Sequence, residues 1–227
     1  AGENFSTVSF ETVRGEQTFD MTQLDEIIAK LQRIRERMDH LISKIILLGL
    51  SHAGKTSITE VVFGGKNPEE INQYQNEVLS FMIQIVNKNS GIVNQILGDG
   101  FMATFGAPVE NDNHTQCAVS AALQIVNKLK IKNTNREIPH TQIGIGIHTG
   151  EAYTGNVGTE DRQQYSIIGN TVILDSRLEQ LNKEFNSSLI VSKDVIDNMK
   201  TEGVEFMSLG DVNIKGFSKP IDVYKLL

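Results

Sequence analysis

The stretch from Ile45 to Glu60, "IILLGLSHAGKTSITE", decides how the chain is read. Within it, Gly49-Leu50-Ser51-His52-Ala53-Gly54-Lys55-Thr56 matches the phosphate-loop pattern G-x-x-x-x-G-K-[ST] at every fixed position. Such a loop works because successive backbone N–H groups and the start of the next helix surround phosphate oxygens, while the Lys reaches the terminal phosphates and the hydroxyl holds magnesium. The run "KIILLGL" before it reads as a strand and "TSITEVVF" after it as a helix, so the immediate context for a nucleotide-binding module is met.

The remainder of the chain does not extend that pattern. Residues 45–63 look like the opening of Rag-type small GTPases, but no workable D-x-x-G strand end follows, and Asn87-Lys88-Asn89-Ser90 lacks the Asp of a guanine-reading N-K-x-D stretch. The alternation of strand and helix that builds a parallel nucleotide-binding sheet is also missing. A true phosphate-loop NTP-binding module is therefore the third choice among the functions considered.

Composition narrows the field further. The 227 residues suffice for one ample domain with an appendage, and a formal charge of −7 without any Lys/Arg run argues against nucleic acid as a partner. Cys117 is the only cysteine, which excludes an internal disulfide framework and a thiol zinc cluster. It lies in "HTQCAVSAALQIVNKL" among small and apolar residues at helical spacing, so a buried structural role is expected. No apolar run is long enough to span a bilayer and no basic-then-apolar leader is present, so no membrane contact is expected for these residues. The expected location is the cytoplasm, whether as such or as the cytosolic part of a larger or membrane-anchored protein.

Working outward, "TVSFETV" reads as a short strand. "DMTQLDEIIAKLQRIRERMDHLI" (20–42) reads as an amphipathic helix, with Leu24, Ile27, Ile28, Leu31, Ile34, Met38 and Leu41 three or four apart. Asn67, Pro68, Glu69 and Glu70 spell a helix start, followed by an apolar face of Val78, Phe81, Met82, Ile85 and Val86. "SGIVNQILGDGFMATFGAP" holds two apolar runs around Gly98-Asp99-Gly100, a hairpin signal that places Asp99 at a tip. "TQIGIGIHTGEAYTGNVG" reads as strand, turn, strand, with His148 at the strand end; Gly144, Gly146 and Gly150 then sit in a strand and do not form a dinucleotide fingerprint. "QQYSIIGNTVILDSRLEQLNKEF" reads as a strand running into a helix. Hairpins are frequent, so the expected class is α+β: a ferredoxin-like sandwich of a mainly antiparallel sheet with helices packed on it. The division expected is a polar segment with a connector helix at 1–43 and one domain at 44–227.

From residue 96 onward the order of motifs resembles the catalytic domain of class III adenylate and guanylate cyclases. The pieces are "ILGDGFMATFGAP" (96–108), "IGIGIHTGEAYTGNVGTEDRQQYSIIGNTV" (143–172), "SRLEQLNKEF" (176–185), "LIVSKDV" (189–195) and "LGDVNIKGFSKPIDVYKL" (209–226). The resemblance implies the cyclase fold, ATP or GTP as substrate, two magnesium or manganese ions, and a homodimer or a heterodimer with another cyclase domain. It also recasts the opening stretch: the family's F-x-D-I-x-G-F-T-S loop aligns through Gly54, Thr56 and Ser57, which puts Lys55 at the Phe position and Ser51 where a metal-binding Asp belongs. Gly54, Lys55 and Thr56 remain candidates to hold the triphosphate.

The same alignment implies the other site positions. Asp99 matches the second metal-binding Asp. Gln95 stands at the adenine-reading Lys and Ser166 at its partner Asp, so base preference is open. Ile173 replaces the ribose-orienting Asn, while Arg177 keeps the position that stabilises charge building on the phosphate. A hydroxyl at Ser51 does not replace an anionic bridge between two divalent ions. The expectation is a cyclase-like domain impaired on its own and acting as a dimer partner or regulatory subunit, with an active cyclase of rearranged metal site as the alternative. Asp99 as a mere turn residue and Arg177 as an ordinary surface arginine stay open beside these roles.

Overall fold

The computed structural model describes residues 7–12, 15–20, 41–52, 68–159 and 162–227. Strands β1 (Thr7–Thr12) and β2 (Gly15–Asp20) pair antiparallel as a separate ribbon. The main unit runs β3 (Leu41–His52), α1 (Pro68–Lys88), β4 (Gly91–Leu97), β5 (Gly100–Phe105), α2 (His114–Thr134), β6 (Ile143–Gly158), β7 (Gln163–Ile168), α3 (Asn170–Glu184), β8 (Leu189–Ser192), α4 (Lys193–Asn198), β9 (Phe206–Val212) and β10 (Ile221–Leu226). The sheet order is β4-β5-β3-β6-β8-β10-β9, with β7 pairing β6. Every neighbouring pair is antiparallel except β6 and β8, whose crossover carries α3. The α+β class is thus the observed one.

Alternation along β6 separates two cores. Ile143, Ile145 and Ile147 enter the large cluster formed with α1 and α2, where Met82, Val86, Phe101, Phe105 and Ile125 are nearly or fully buried. Gly144, Gly146, His148 and Gly150 therefore face the other way, toward α3. There Leu174 and Leu178 pack with Ile190, Ile214 and Val223, and Leu181 and Phe185 border them.

The glycines on this face have a steric reason. A Cβ on Gly146 would lie 2.5 Å from both the Asp175 carbonyl oxygen and the Glu179 amide nitrogen, so the helix backbone rests directly on the strand. One on Gly150 would lie 2.9 Å from Thr171 Oγ1. The strand, turn, strand expected over 141–158 is corrected accordingly: β6 is continuous, and His148 sits within it opposite Leu47. Glycines that resemble turn signals in sequence here make room for a helix.

Two further expectations change. Leu41 and Ile42, assigned to the end of a connector helix, are strand residues opposite Tyr153 and Ala152, because the 16-residue β6 is long enough to pair with them. Residues 21–40 lie outside the described residues. Gly49, Leu50, Ser51 and His52, the first half of the phosphate-loop pattern, belong to β3 and pair with Gly146, Ile145, Gly144 and Ile143. Gly49 is flanked on its other side by Met102 of β5. Backbone groups committed to a sheet ladder are not a phosphate cradle, and this counts against the NTP-binding module. Gly54, Lys55 and Thr56 lie outside the described residues. Cys117 is half-buried at the edge of the large cluster and accepts a 3.6 Å hydrogen bond from Asn111 Nδ2.

His148 is buried and shares a 2.8 Å hydrogen bond between Nδ1 and Ser192 Oγ. Burial lowers its pKa from 6.5 to about 4, opposed only in part by the Asp194 carboxylate 3.8 Å away. The ring is therefore neutral at pH 7 and that approach is not an ion pair.

Two predictions follow from these contacts. Gly146→Ala should destabilise the domain by about 1–3 kcal/mol or more, seen as a lower denaturant midpoint, because backbone lines both sides of the clash. The unfolded imidazole binds a proton below about 6.5 and the folded one only below about 4, so the neutral form's contribution is full above the higher value and is lost as pH falls. That contribution is about 3 kcal/mol, and His148→Gln should flatten the rise of unfolding free energy between those limits.

Candidate functional site

The hairpin joining β4 and β5 turns through Gly98 and Asp99 alone, with Leu97 opposite Gly100. Gly98 has φ of 66°, as a tight turn with glycine at its first central position requires. The sequence signal placed Asp99 at the hairpin tip, and the turn residues are Gly98 and Asp99. Asp99 is half-exposed at this tip. Continuing the β3–β5 register, in which Gly49 meets Met102, sets Ser51 opposite Gly100. Ser51 and Asp99 thus come to the same end of adjacent strands.

A bulge governs Gln95. Val93 pairs with Ala103 and Gln95 with Met102, leaving Asn94 as the extra residue on β4. Val93 packs on the large core, whereas Met102 joins Ala107, Ala152, Tyr165 and Ile167 in a second cluster on the opposite face. Two positions apart on one strand, Val93 and Gln95 would share a face in a regular ladder; the bulge turns exposed Gln95 to the Met102 side. Ser166 is half-exposed opposite Gly155 and donates a long 3.4 Å hydrogen bond to the Gln164 carbonyl. By strand alternation it lies on the face of β7 opposite to Tyr165 and Ile167. The elements carrying Gln95 and Ser166 meet at that cluster, while Ser166 faces away from it.

On α3, Ile173 is 50 % exposed and Arg177 lies one turn on, half-exposed. Arg177 Nη1 donates to Gln180 Oε1 at 2.9 Å, and its buried Nε has no partner among the described residues. Tyr153 and Ile168, directly opposite each other on β6 and β7, are 52 % and 53 % exposed. Tyr153 and Ile168 form an exposed apolar pair among the described residues, and Ile173 is a further exposed apolar residue.

Asp99 is a carboxylate residue, and Ser51, a neutral one, lies at the same end of the adjacent strand. Among the described residues no group of three His, Cys, Asp or Glu side chains converges to hold a metal. Among the described residues the donor set does not fit a two-ion centre, because magnesium is held by carboxylate charge against its own hydration. Sequence reasoning missed the buried polar stripe of α3, Asp175, Glu179 and Asn182. Its signal was the spacing itself, polar residues four and three apart beside Leu174 and Leu178, which places them at the helix–strand contact.

The profile of the adenylate and guanylate cyclase catalytic domain matches residues 55–227. Adenylate cyclase 1 of Rhizobium meliloti (strain 1021) is 33 % identical over 175 residues, 76 % of this chain and 26 % of that protein. Among solved structures, an adenylyl cyclase of P. aeruginosa superposes with a TM-score of 0.71 at 26 % identity over 82 % of this chain and 94 % of that one. A guanylyl cyclase superposes with a TM-score of 0.69 at 26 % identity, covering 81 % and 91 %. The chain spans between 26 % and 34 % of the length of its first curated relatives. Among the described residues no helix is long and apolar enough to cross a membrane.

Removing Asn94 should regularise β4 and return position 95 to the core face. A cysteine placed there by Gln95→Cys should react readily with a water-soluble thiol reagent in the parent chain and at least about tenfold more slowly once Asn94 is deleted.

Proposed function

Since the chain belongs to the adenylate and guanylate cyclase catalytic domain family, we propose that it is a cyclase domain impaired on its own that works by pairing with another cyclase domain. The observation that supports this is the end of β3: Ser51 comes beside the Asp99 hairpin, and the cyclase pattern puts a metal-binding Asp at that position. One anionic ligand and one neutral hydroxyl leave a metal pair under-neutralised. The likeness to both an adenylyl and a guanylyl cyclase structure, with Gln95 and Ser166 at the base-reading positions, leaves ATP and GTP as equal candidates.

Arg177 fits the complementary half of a shared site. A guanidinium with only one terminal nitrogen engaged by Gln180 is available to a partner's nucleotide, where fixed positive charge stabilises the developing phosphate charge. In a heterodimer, one composite site would take both carboxylates from the partner and Arg177 from this chain. The exposed pair Tyr153 and Ile168, and exposed Ile173 on α3, support a partner surface, since apolar area of this kind is otherwise unfavourable in water. The division between a helical connector and the catalytic domain belongs to the same proposal, with its boundary moved ahead of Leu41, where β3 begins.

The test is mass-spectrometric detection of cyclic AMP and cyclic GMP from ATP or GTP with manganese. The chain alone should give no product above a heat-killed control, and an intact cyclase domain added to it should form a mixed dimer in sedimentation. In that mixed dimer, Arg177→Ala should lower turnover by about a hundredfold or more. Product from the chain alone would establish an active cyclase with a rearranged metal site. A strictly monomeric chain that engages no cyclase domain would overturn the pairing role.

A further inference from the structure

Beside α2 lies an open cavity of about 470 Å³, bounded on its far side by the start of β8 and the end of β10. Leu123, Val126 and Lys130 follow one another at three- and four-residue steps along α2, so a single stripe of that helix forms one wall. Leu123 and Val126 are half-buried, and Leu227, on the β10 side, is 65 % exposed. Leu189 and Leu226 close the floor and are buried. The accessible walls are therefore hydrocarbon on both sides.

Charge enters this groove at one place. Among the described residues that line it, Lys130 is the one with a charged side chain, and it is exposed. The neighbouring lysines of α2 are engaged elsewhere: Lys132 Nζ pairs with Glu77 at 3.0 Å and Glu137 at 3.2 Å, and Lys128 Nζ lies 5.6 Å from the centre of the Phe81 ring. Lys130 has no such partner among the described residues. Gln124, also on the rim, donates from Nε2 to Asn89 Oδ1 at 3.2 Å and to Ser120 Oγ at 2.9 Å, so its amide donors are directed to the chain itself. The groove thus combines apolar walls with a single free ammonium.

We propose that this cavity binds a medium-chain aliphatic carboxylate, its hydrocarbon lying between Leu123, Val126 and Leu227 and its carboxylate meeting Lys130 Nζ. The volume lies within the range of small-molecule pockets. Sign and shape act together. An ammonium of the same chain length meets Lys130 as a like charge, and a short carboxylate reaches Lys130 without covering the apolar walls. None of the lining residues is a position that the cyclase resemblance assigns to nucleotide or metal, so the site stands beyond the proposed catalytic role.

The test is an amide NMR titration of the full 227-residue chain with butanoate, hexanoate and octanoate, alongside octan-1-ol and octylamine. Octanoate should bind saturably at about millimolar concentration or below, shifting the amides of Val126, Lys130, Ser188 and Leu227. Affinity should rise at least about fivefold from butanoate to hexanoate and again to octanoate, as burial of added methylenes requires. Octan-1-ol should bind several-fold more weakly than octanoate, and octylamine more weakly still. Lys130→Ala, an exposed change to a good helix former, should bring octanoate down to the octan-1-ol level and leave octan-1-ol unchanged. Octan-1-ol or octylamine matching octanoate, undiminished octanoate binding by Lys130→Ala, no dependence on chain length, or shifts at Tyr153 and Ile168 in place of the groove would each overturn the site.

Discussion

The contact on which the rest of the domain depends is the seating of α3 on β6 through Gly146. With hydrogen in place of a side chain, the strand lets the backbone of Asp175 and Glu179 approach to a distance that any Cβ would obstruct. This fixes the depth of the helix, while Asn182, bonding to the Ile145 carbonyl, fixes its rotation. Ile173 and Arg177 are then held at the outer side of α3 by packing they do not themselves make. Polar residues are admitted to the inner side because they meet strand and helix carbonyls there instead of hydrocarbon. A helix seated by larger side chains would stand farther off the sheet, and its outer residues would present a different surface to any partner.

Strand β3 is the second constraint, and it explains why a phosphate-loop spelling misleads here. The pattern specifies residue types but not whether the backbone is free. From Gly49 to His52 the chain pairs with β6, and Gly49 is enclosed by β5 as well, so the backbone of the first half of the pattern is committed to the sheet. Antiparallel neighbours on both sides distinguish this strand from the parallel strand that feeds a nucleotide loop in doubly wound folds. Ser51 is consequently a strand residue aligned with the Asp99 turn, and its chemistry is decided by that alignment.

Much of this was legible in the sequence, for identifiable reasons. The apolar face of α1 and the buried leucines of α3 follow helical spacing, and the Gly98-Asp99-Gly100 signal marked a real hairpin. Errors arose where one residue type serves two physical ends. Glycines near His148 suggested a turn but provide clearance for α3, and apolar residues at 41 and 42 extended a helical pattern into a strand because periodicity weakens at an element's end. The bulge at Asn94 had no local signal. It is a property of the pairing between β4 and β5, and without that register Gln95 falls on the wrong face. The burial of His148 was equally hidden, because it is set by Ser192 and by α3 arriving from distant sequence.

The distribution of changes around the proposed site is uneven, and the unevenness has physical content. On the proposed reading, Ser51 at a metal-binding position would disable the half of a composite site that must concentrate negative charge, whereas Arg177 would belong to the half that supplies positive charge. The halves reside on different elements, β3 with the β4–β5 hairpin on one side and α3 on the other, so one can decay without disturbing the seating of the other. Arg177 also costs the isolated domain something to retain, since its Nε is buried without a partner among the described residues. A structural arginine would be expected to satisfy that donor within the chain. A half-exposed arginine one turn from exposed Ile173 is matched to an interface, where a second molecule excludes water and engages the rest of its guanidinium.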